Sequence, residues 1–167
     1  DDVHILVVVD VCTRFVFLHA LKDKTATGVV RYLFDLFCFI GFPKIIQSDN
    51  GGEFSNKFLQ EVLSKLKVEH HLCTPYHPRS NGVAERSVQN VKNMLRKMVQ
   101  ENPTDWDRHL PAVQLQINAR ASSLHNSSPF SLFFGRPFYR PGDHSGTESN
   151  LPTDEDLETR LRYLTQL

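Results

Sequence analysis

The chain has 167 residues, 40% of them apolar and 23% charged, with 19 basic residues against 19 acidic ones. That is enough for one domain with its own core, and a formal charge of zero argues against a strongly basic nucleic-acid binder. From Asp143 onward six acidic residues meet only Arg160 and Arg162, leaving 17 basic and 13 acidic residues over 1–142, a balance mildly favourable to a polyanion.

Cys12, Cys38 and Cys73 have no C-x-x-C spacing, so neither a disulfide framework nor a zinc knuckle is indicated and a reducing compartment is expected. The longest apolar stretch, 29–42, is broken by Arg31 and Asp35, so no membrane span is predicted. With no starting Met and a beginning almost inside a strand, the chain reads as an excised domain.

Ile5–Val9 is an apolar, β-branched run ending in Asp10 and predicts a buried strand. Arg14–Leu21 comes soon after, which predicts a hairpin turning through Val11–Thr13. From Thr25 to Phe39 apolar residues at 29, 30, 33, 36, 37 and 40 form a helical stripe, and Gly41-Phe-Pro43 ends it. Lys44–Gln47 predicts a short strand that delivers Ser48-Asp-Asn-Gly-Gly52, a cluster of turn formers. A helix over Ser55–Leu66 and a strand over Val68–Cys73 come next. Thr74–Gly82 is rich in turn formers and predicts a loop. Val83–Glu101 is the clearest helix, with Ala84, Val88, Val91, Leu95 and Met98 on its buried side, and Asn102-Pro103 stops it. Trp106–Ala121 adds another, with Leu110, Val113 and Ile117 in register. Residues 1–139 thus read as an α/β domain, 140–153 as a linker, and 154–167 as a charged amphipathic helix leading into a further domain.

Three acidic residues stand out by position. Asp10 closes an apolar strand, where a charge is costly unless it serves something. Asp49 ends a second strand, and Glu85 lies in the first turn of the long predicted helix. Carboxylates at the ends of neighbouring strands can converge, and a helix against the sheet edge can add a third. Such a cluster repels itself unless a cation sits between the oxygens. Oxygen ligands without His or Cys favour Mg²⁺ or Mn²⁺ over Zn²⁺, and two such ions about 4 Å apart can clamp both oxygens of an in-line phosphoryl displacement. Each residue alone also has a plainer explanation: a strand end meeting solvent, an Asx-turn, a charge favoured at a helix start.

Val7-Val-Val-Asp10, then Ser48-Asp-Asn-Gly-Gly-Glu-Phe54, then Thr74-Pro-Tyr-His-Pro-Arg-Ser-Asn-Gly-Val-Ala-Glu-Arg86 resemble the successive signatures of retroviral and gypsy-type integrase cores. Thirty-five residues stand between Asp49 and Glu85, the spacing of that family's D,D-35-E motif, and Ser128-Pro-Phe-Ser-Leu-Phe-Phe-Gly135 is similar to a later stretch of the same cores. The likeness covers residues 3 to about 138. It implies a ribonuclease-H-like fold, a mixed five-stranded sheet flanked by helices. It also implies that Asp10, Asp49 and Glu85 are catalytic and hold a pair of Mg²⁺ (or Mn²⁺) ions. The activity implied is trimming of an element's 3′ DNA ends and their transfer into target DNA, in the nucleus or a cytoplasmic pre-integration complex.

Further residues acquire roles through the same resemblance. Glu85, Gln89, Lys92 and Arg96 make a stripe beside the buried one, and Lys92 and Arg96 are expected to follow a phosphate backbone. Tyr76 is expected to stack near the cut, and Arg79, Ser80 and Asn81 to offer donors to phosphate, with Gly82 turning the chain into the helix. A homodimer or higher oligomer is implied, with Tyr32, Phe39 and the outward side of Trp106–Arg120 as interface. Trp106, Leu110, Val113 and Ile117 are expected in the core.

Three positions depart from the family pattern: Arg79 replaces a usual Gln, Val88 a usual Asn, and Gln89 a position that is often basic. His70-His71-Leu-Cys73 has the wrong spacing for one zinc site. The departures leave room for a rival reading, a host-captured module that binds DNA or dimerises without chemistry. A structure-specific nuclease is a third.

Overall fold

The structure, a computed structural model, describes residues 4–73, 78–99, 106–121, 126–140 and 142–143, with side chains in the long helix from Gly82 onward. Its elements run β1 (His4–Val9), β2 (Val16–Leu21), α1 (Ala26–Ile40), β3 (Ile45–Ser48), α2 (Lys57–Lys65), β4 (Glu69–Leu72), α3 (Pro78–Met98), α4 (Trp106–Ala119) and α5 (Pro129–Phe134).

The first hairpin forms as the apolar alternation predicts, with β1 and β2 antiparallel and Val9 opposite Val16, Val7 opposite Leu18 and Ile5 opposite Ala20. Successive side chains of a strand point to opposite faces, and here both faces are used. Leu6 and Val8 pack into one core with Phe17, Val29, Leu33 and Leu59. Ile5, Val7 and Val9 pack into the other with Val16, Val91, Leu95 and Val113. α1 is started by Thr25, whose hydroxyl accepts from the Gly28 amide at 3.2 Å, and ended by Gly41, whose φ of +96° a side chain would resist. α2 starts from Asn56, which accepts from the Phe58 amide at 2.8 Å. In α5 Ser128 caps the start and Gly135 the end, so the stretch Pro129–Phe134 is a helix for which the sequence reading had no element.

Two expectations are corrected. α3 begins at Pro78, not Val83, so Arg79, Ser80, Asn81 and Gly82 are helical and not part of a loop. Proline at a helix's first position supplies the right φ and loses an amide that has no partner there, which outweighs the turn-forming tendency of Ser80-Asn-Gly82. The described strands also do not form one five-stranded sheet: β1–β2 make one antiparallel pair and β3–β4 a separate parallel pair. A cavity of about 1770 Å³ is lined by every residue of both β1 and β3. The linker expected over 140–153 lies outside the described residues except Arg140, Gly142 and Asp143, and the helix expected over 154–167 lies wholly outside them.

The outer edge of β2 is closed by α4. Buried Asn118 accepts from the Val16 amide and donates to the Val16 carbonyl, both at 2.8 Å, while Gln114 accepts from the Leu18 amide at 2.7 Å. Side-chain amides thus replace a neighbouring strand, one way of protecting an edge. Asn118 is only 2% exposed, and these bonds are the reason a polar residue is tolerated there.

Candidate active site

Asp10, Asp49 and Glu85 all line this cavity of about 1770 Å³. They reach it from three elements: the end of β1, the residue after β3, and the eighth residue of α3.

Asp10 is half-buried, and its carboxylate is engaged locally. Its Oδ2 accepts from the Thr13 amide at 2.9 Å and from the Thr13 hydroxyl at 2.5 Å. The backbone continues the turn, with the Asp10 amide on the Phe15 carbonyl and the Arg14 amide on the Asp10 carbonyl. Arg14 takes a φ of +65° to complete it. This is the Asx-type turn that aspartate favours between two strands.

Asp49 is exposed, and its Oδ1 accepts from the Gly51 amide at 3.0 Å. Asn50 ties the same turn to β4 by donating to the Cys73 carbonyl at 3.1 Å. A Cβ at Gly51 would stand 2.8 Å from Glu53 Oε2 and 3.1 Å from Asp49 Oδ1, so both side chains lie close to this glycine. Two carboxylates therefore crowd one glycine, and Glu53, which also lines the cavity, is an acidic neighbour the sequence reading did not single out. Its presence inside the Gly-Gly-Glu-Phe turn was the available signal.

Glu85 is exposed on α3, with Gln89, Lys92 and Arg96 following it along the cavity wall. The stripe stands as expected beside buried Val91 and Leu95. Gln89 donates to Asn93 at 2.9 Å, and Val88 is half-buried. Tyr76 lies outside the described residues, and of Arg79, Ser80 and Asn81 only the helical backbone is described.

The three carboxylates share a cavity. Among the described residues no three His, Cys, Asp or Glu side chains are placed to hold one metal ion. One contact beside Asp49 was not foreseen: Ser48 Oγ and His70 Nε2 lie 2.9 Å apart. Burial, with His71 adjacent, lowers the His70 pKa below the ordinary histidine value. His71 points outward, 3.5 Å from Glu69.

Tyr32 is stacked on His19 with ring centroids 4.1 Å apart, and burial pushes its hydroxyl pKa up to about 12. Phe39 is 78% exposed.

The α/β fold carries carboxylates at strand ends and on a facing helix, and comparison with known proteins gives its relatives. The integrase core domain family matches residues 1–78. Over 154 residues the chain is 34% identical to the Pro-Pol polyprotein of simian foamy virus type 3 (strain LK3), covering 92% of this chain and 13% of that protein. It is 33% identical over 158 residues to the Homo sapiens KRAB-A domain-containing protein 2, covering 89% of this chain and 32% of that protein. The fold matches the HTLV-2 integrase catalytic core domain, solved in complex with magnesium in a trimeric form, with a TM-score of 0.65 and 19% identity over 79% of this chain and 92% of that one. The chain belongs to the integrase core family of the retroviral and retrotransposon type. It spans 13% of the foamy virus polyprotein and about a third of the human relative.

Proposed function

We propose that the chain is the catalytic core of a DNA integrase, a metal-dependent polynucleotidyl transferase in which Asp49 and Glu85 are the metal-holding carboxylates. The observation that carries this reading is their position on the walls of one cavity, with 35 residues between them in sequence and with Lys92 and Arg96 continuing from Glu85 along α3. Asp10 holds the hairpin turn through its Oδ2, which accepts from Thr13, and we assign it to that turn.

Mg²⁺ is ordinarily held by one or two carboxylates plus substrate phosphate oxygens, keeping several waters. Asp49 and Glu85 are the two carboxylates we assign to such a substrate-dependent ion. When bound, magnesium would polarise the scissile phosphate. The chain's own contribution is placement. Lys92 and Arg96 are spaced to meet successive phosphates, which fixes the register of the DNA along α3. Arg79, Ser80 and Asn81, in the first turn of α3, and Tyr76 just before it, are assigned to DNA near the cut. In strand transfer a 3′-hydroxyl oxygen bonds to phosphorus as the bond to the target's 3′ oxygen breaks, so no enzyme nucleophile is needed. Association of copies through exposed Phe39 on α1 and Leu115 on α4 is part of the same proposal.

The human relative and Val88 favour a second reading, a captured core that binds DNA without joining it. A disintegration assay with Mg²⁺ or Mn²⁺ separates the two. Joining that falls at least a hundredfold in Glu85→Gln and Asp49→Asn, with DNA binding retained, supports the enzyme. Background joining in all three proteins, with DNA still bound, supports the captured module.

A further inference from the structure

We propose that His70 is a positioning residue for Asp49: its Nε2–H donates to the Ser48 hydroxyl, which in turn donates to the Asp49 carbonyl and fixes the end of β3. The proposal rests on the reading of Asp49 as a metal-holding carboxylate.

Strand parity brings these groups together. In the parallel pair Ile46 lies opposite His70, and Ser48 opposite Leu72. Alternation therefore puts Ile46, Ser48, His70 and Leu72 on one face, and Ile45, Gln47, Glu69 and His71 on the other. The second set is exposed throughout, whereas the first is buried or half-buried. Ser48 is the one buried residue of β3, at 9% exposure, although it is polar and its neighbour Asp49 is exposed. A buried hydroxyl needs partners, and those of Ser48 Oγ are His70 Nε2 at 2.9 Å and the Asp49 carbonyl at 3.1 Å.

Proton counting fixes the direction of this relay. A serine hydroxyl carries one hydrogen, and a carbonyl can only accept. The hydrogen of Ser48 therefore goes to the Asp49 carbonyl, and Ser48 Oγ accepts from His70. That requires the His70 proton on Nε2. With the proton on Nδ1, His70 Nε2 and the Asp49 carbonyl would compete for the same serine hydrogen, and one contact would be lost. Burial lowers the His70 pKa, which keeps the ring neutral in neutral solution and makes the choice of nitrogen matter.

The flanks of Asp49 are tied to the same strand by further bonds. The Cys73 amide donates to the Ser48 carbonyl at 2.8 Å, and Asn50 Nδ2 donates to the Cys73 carbonyl at 3.1 Å. Asp49 is thus bracketed on both sides by bonds to β4 and its end. The chain runs on from β4 to α3, the helix of Glu85, and Asp49, His70 and Glu85 line one cavity. Holding Asp49 to β4 therefore holds it to the part of the chain that leads to its partner carboxylate. A ligand fixed in this way meets an ion without first being ordered, which is how groups behind a metal ligand raise affinity and rate.

Two measurements test the proposal, and the first needs neither metal nor activity. The His70 tautomer is read from long-range nitrogen–proton NMR correlations at about pH 8, with the His70 signals identified by their loss in His70→Gln. Amide exchange is read at Gly51, whose amide is held by Asp49 Oδ1. The proton is expected on Nε2. Gly51 exchange is expected to rise about tenfold in Ser48→Ala and in His70→Leu, and less than about threefold in His70→Gln, whose amide nitrogen replaces Nε2 as donor. A proton on Nδ1 overturns the proposal, as does Gly51 exchange unchanged in both Ser48→Ala and His70→Leu.

The second measurement is the disintegration assay with Mg²⁺. Ser48→Ala and His70→Leu should each lower kcat, and raise the Mg²⁺ concentration for half-maximal rate, by about tenfold, with KM for DNA within about twofold of the parent. His70→Gln should restore both, and the double variant should be no worse than either single one. A loss confined to KM, or losses that multiply in the double variant, overturn the proposal. If His70→Leu does not fold, Ser48→Ala carries the same expectations. If the parent joins no DNA, or Asp49→Asn joins it equally well, the metal reading of Asp49 falls, while the tautomer and exchange results still decide whether His70 holds the turn.

Discussion

Thr13 donates both its amide and its hydroxyl to one oxygen of Asp10, so the carboxylate at the end of β1 closes the β1–β2 turn. Asp10→Asn keeps an acceptor at that point, and Asp10→Ala removes it. The alanine variant is expected to lose about 1–2 kcal/mol of stability, by analogy with loss of a side-chain cap. Mg²⁺ affinity measured by calorimetry in the presence of DNA should stay within twofold of the parent for Asp10→Asn, and fall at least tenfold for Asp49→Asn. Loss of Mg²⁺ binding in Asp10→Asn would return Asp10 to the ligand set.

Asn118 is the polar residue whose removal should be most costly. Replacing it by Leu, close in volume, leaves the Val16 amide and carbonyl buried without partners, at roughly 1–3 kcal/mol each. A loss of about 3 kcal/mol in urea unfolding is expected, or a fall in Tm of about 6–12 °C for a domain of this size. A loss below 1 kcal/mol would mean that β2's edge is not held by α4.

Leu59 is 1% exposed in the core that packs against one face of β1. Leu59→Ala should cost about 2–5 kcal/mol, the range for a buried leucine whose surroundings relax only partly. Phe58, its neighbour on the same helix, is 46% exposed, and Phe58→Ala should change stability far less. Urea midpoints of the two variants decide the comparison.

His70 and His19 both have pKa values lowered by burial, with His71 adding to the effect at His70 and Asp35 opposing it at His19. A depressed histidine is neutral in the folded state while the unfolded state takes up a proton first. Stability is therefore fully present above the unfolded value of 6.5 and falls as pH drops from there towards the lowered folded value. His70→Asn should flatten this fall between about pH 7 and pH 5, as read by urea midpoints across the range. An unchanged slope would show that the Ser48–His70 contact has no influence on stability in this window.

Lys92 and Arg96 are exposed along the cavity wall, without a partnered acid among the described salt bridges. If they meet phosphates, Lys92→Ala and Arg96→Ala should each reduce the salt dependence of DNA binding by about one counterion. Affinity should drop for every DNA sequence alike. An unaltered slope in both variants would mean that the stripe is simply a solvated helix face.

Much of the secondary structure was legible because the local signals agree. In α1 the apolar stripe, the Thr25 start and the Gly41 stop coincide, and the helix falls at Ala26–Ile40. The early start of α3 was missed because Pro78 to Gly82 carries turn-forming residues whose tendency an N-terminal proline can override. α5 was missed because six residues are too few to establish a helical period. The spacing of Asp49 and Glu85 was legible as a motif, whereas Glu53 and the Ser48–His70 contact depend on how a glycine turn and two paired strands bring side chains together.

By itself the sequence determined the family, the order and type of most elements, and the residues that could carry charge to a phosphate. Those properties are local, set by backbone preferences, periodicity and short motifs. Only the tertiary structure decided that the strands fall into two pairs and that α4 seals the outer edge of β2. Each of these is a choice between partners for the same hydrogen-bonding group. That choice depends on which elements meet in space, for which a linear chain carries no local signal.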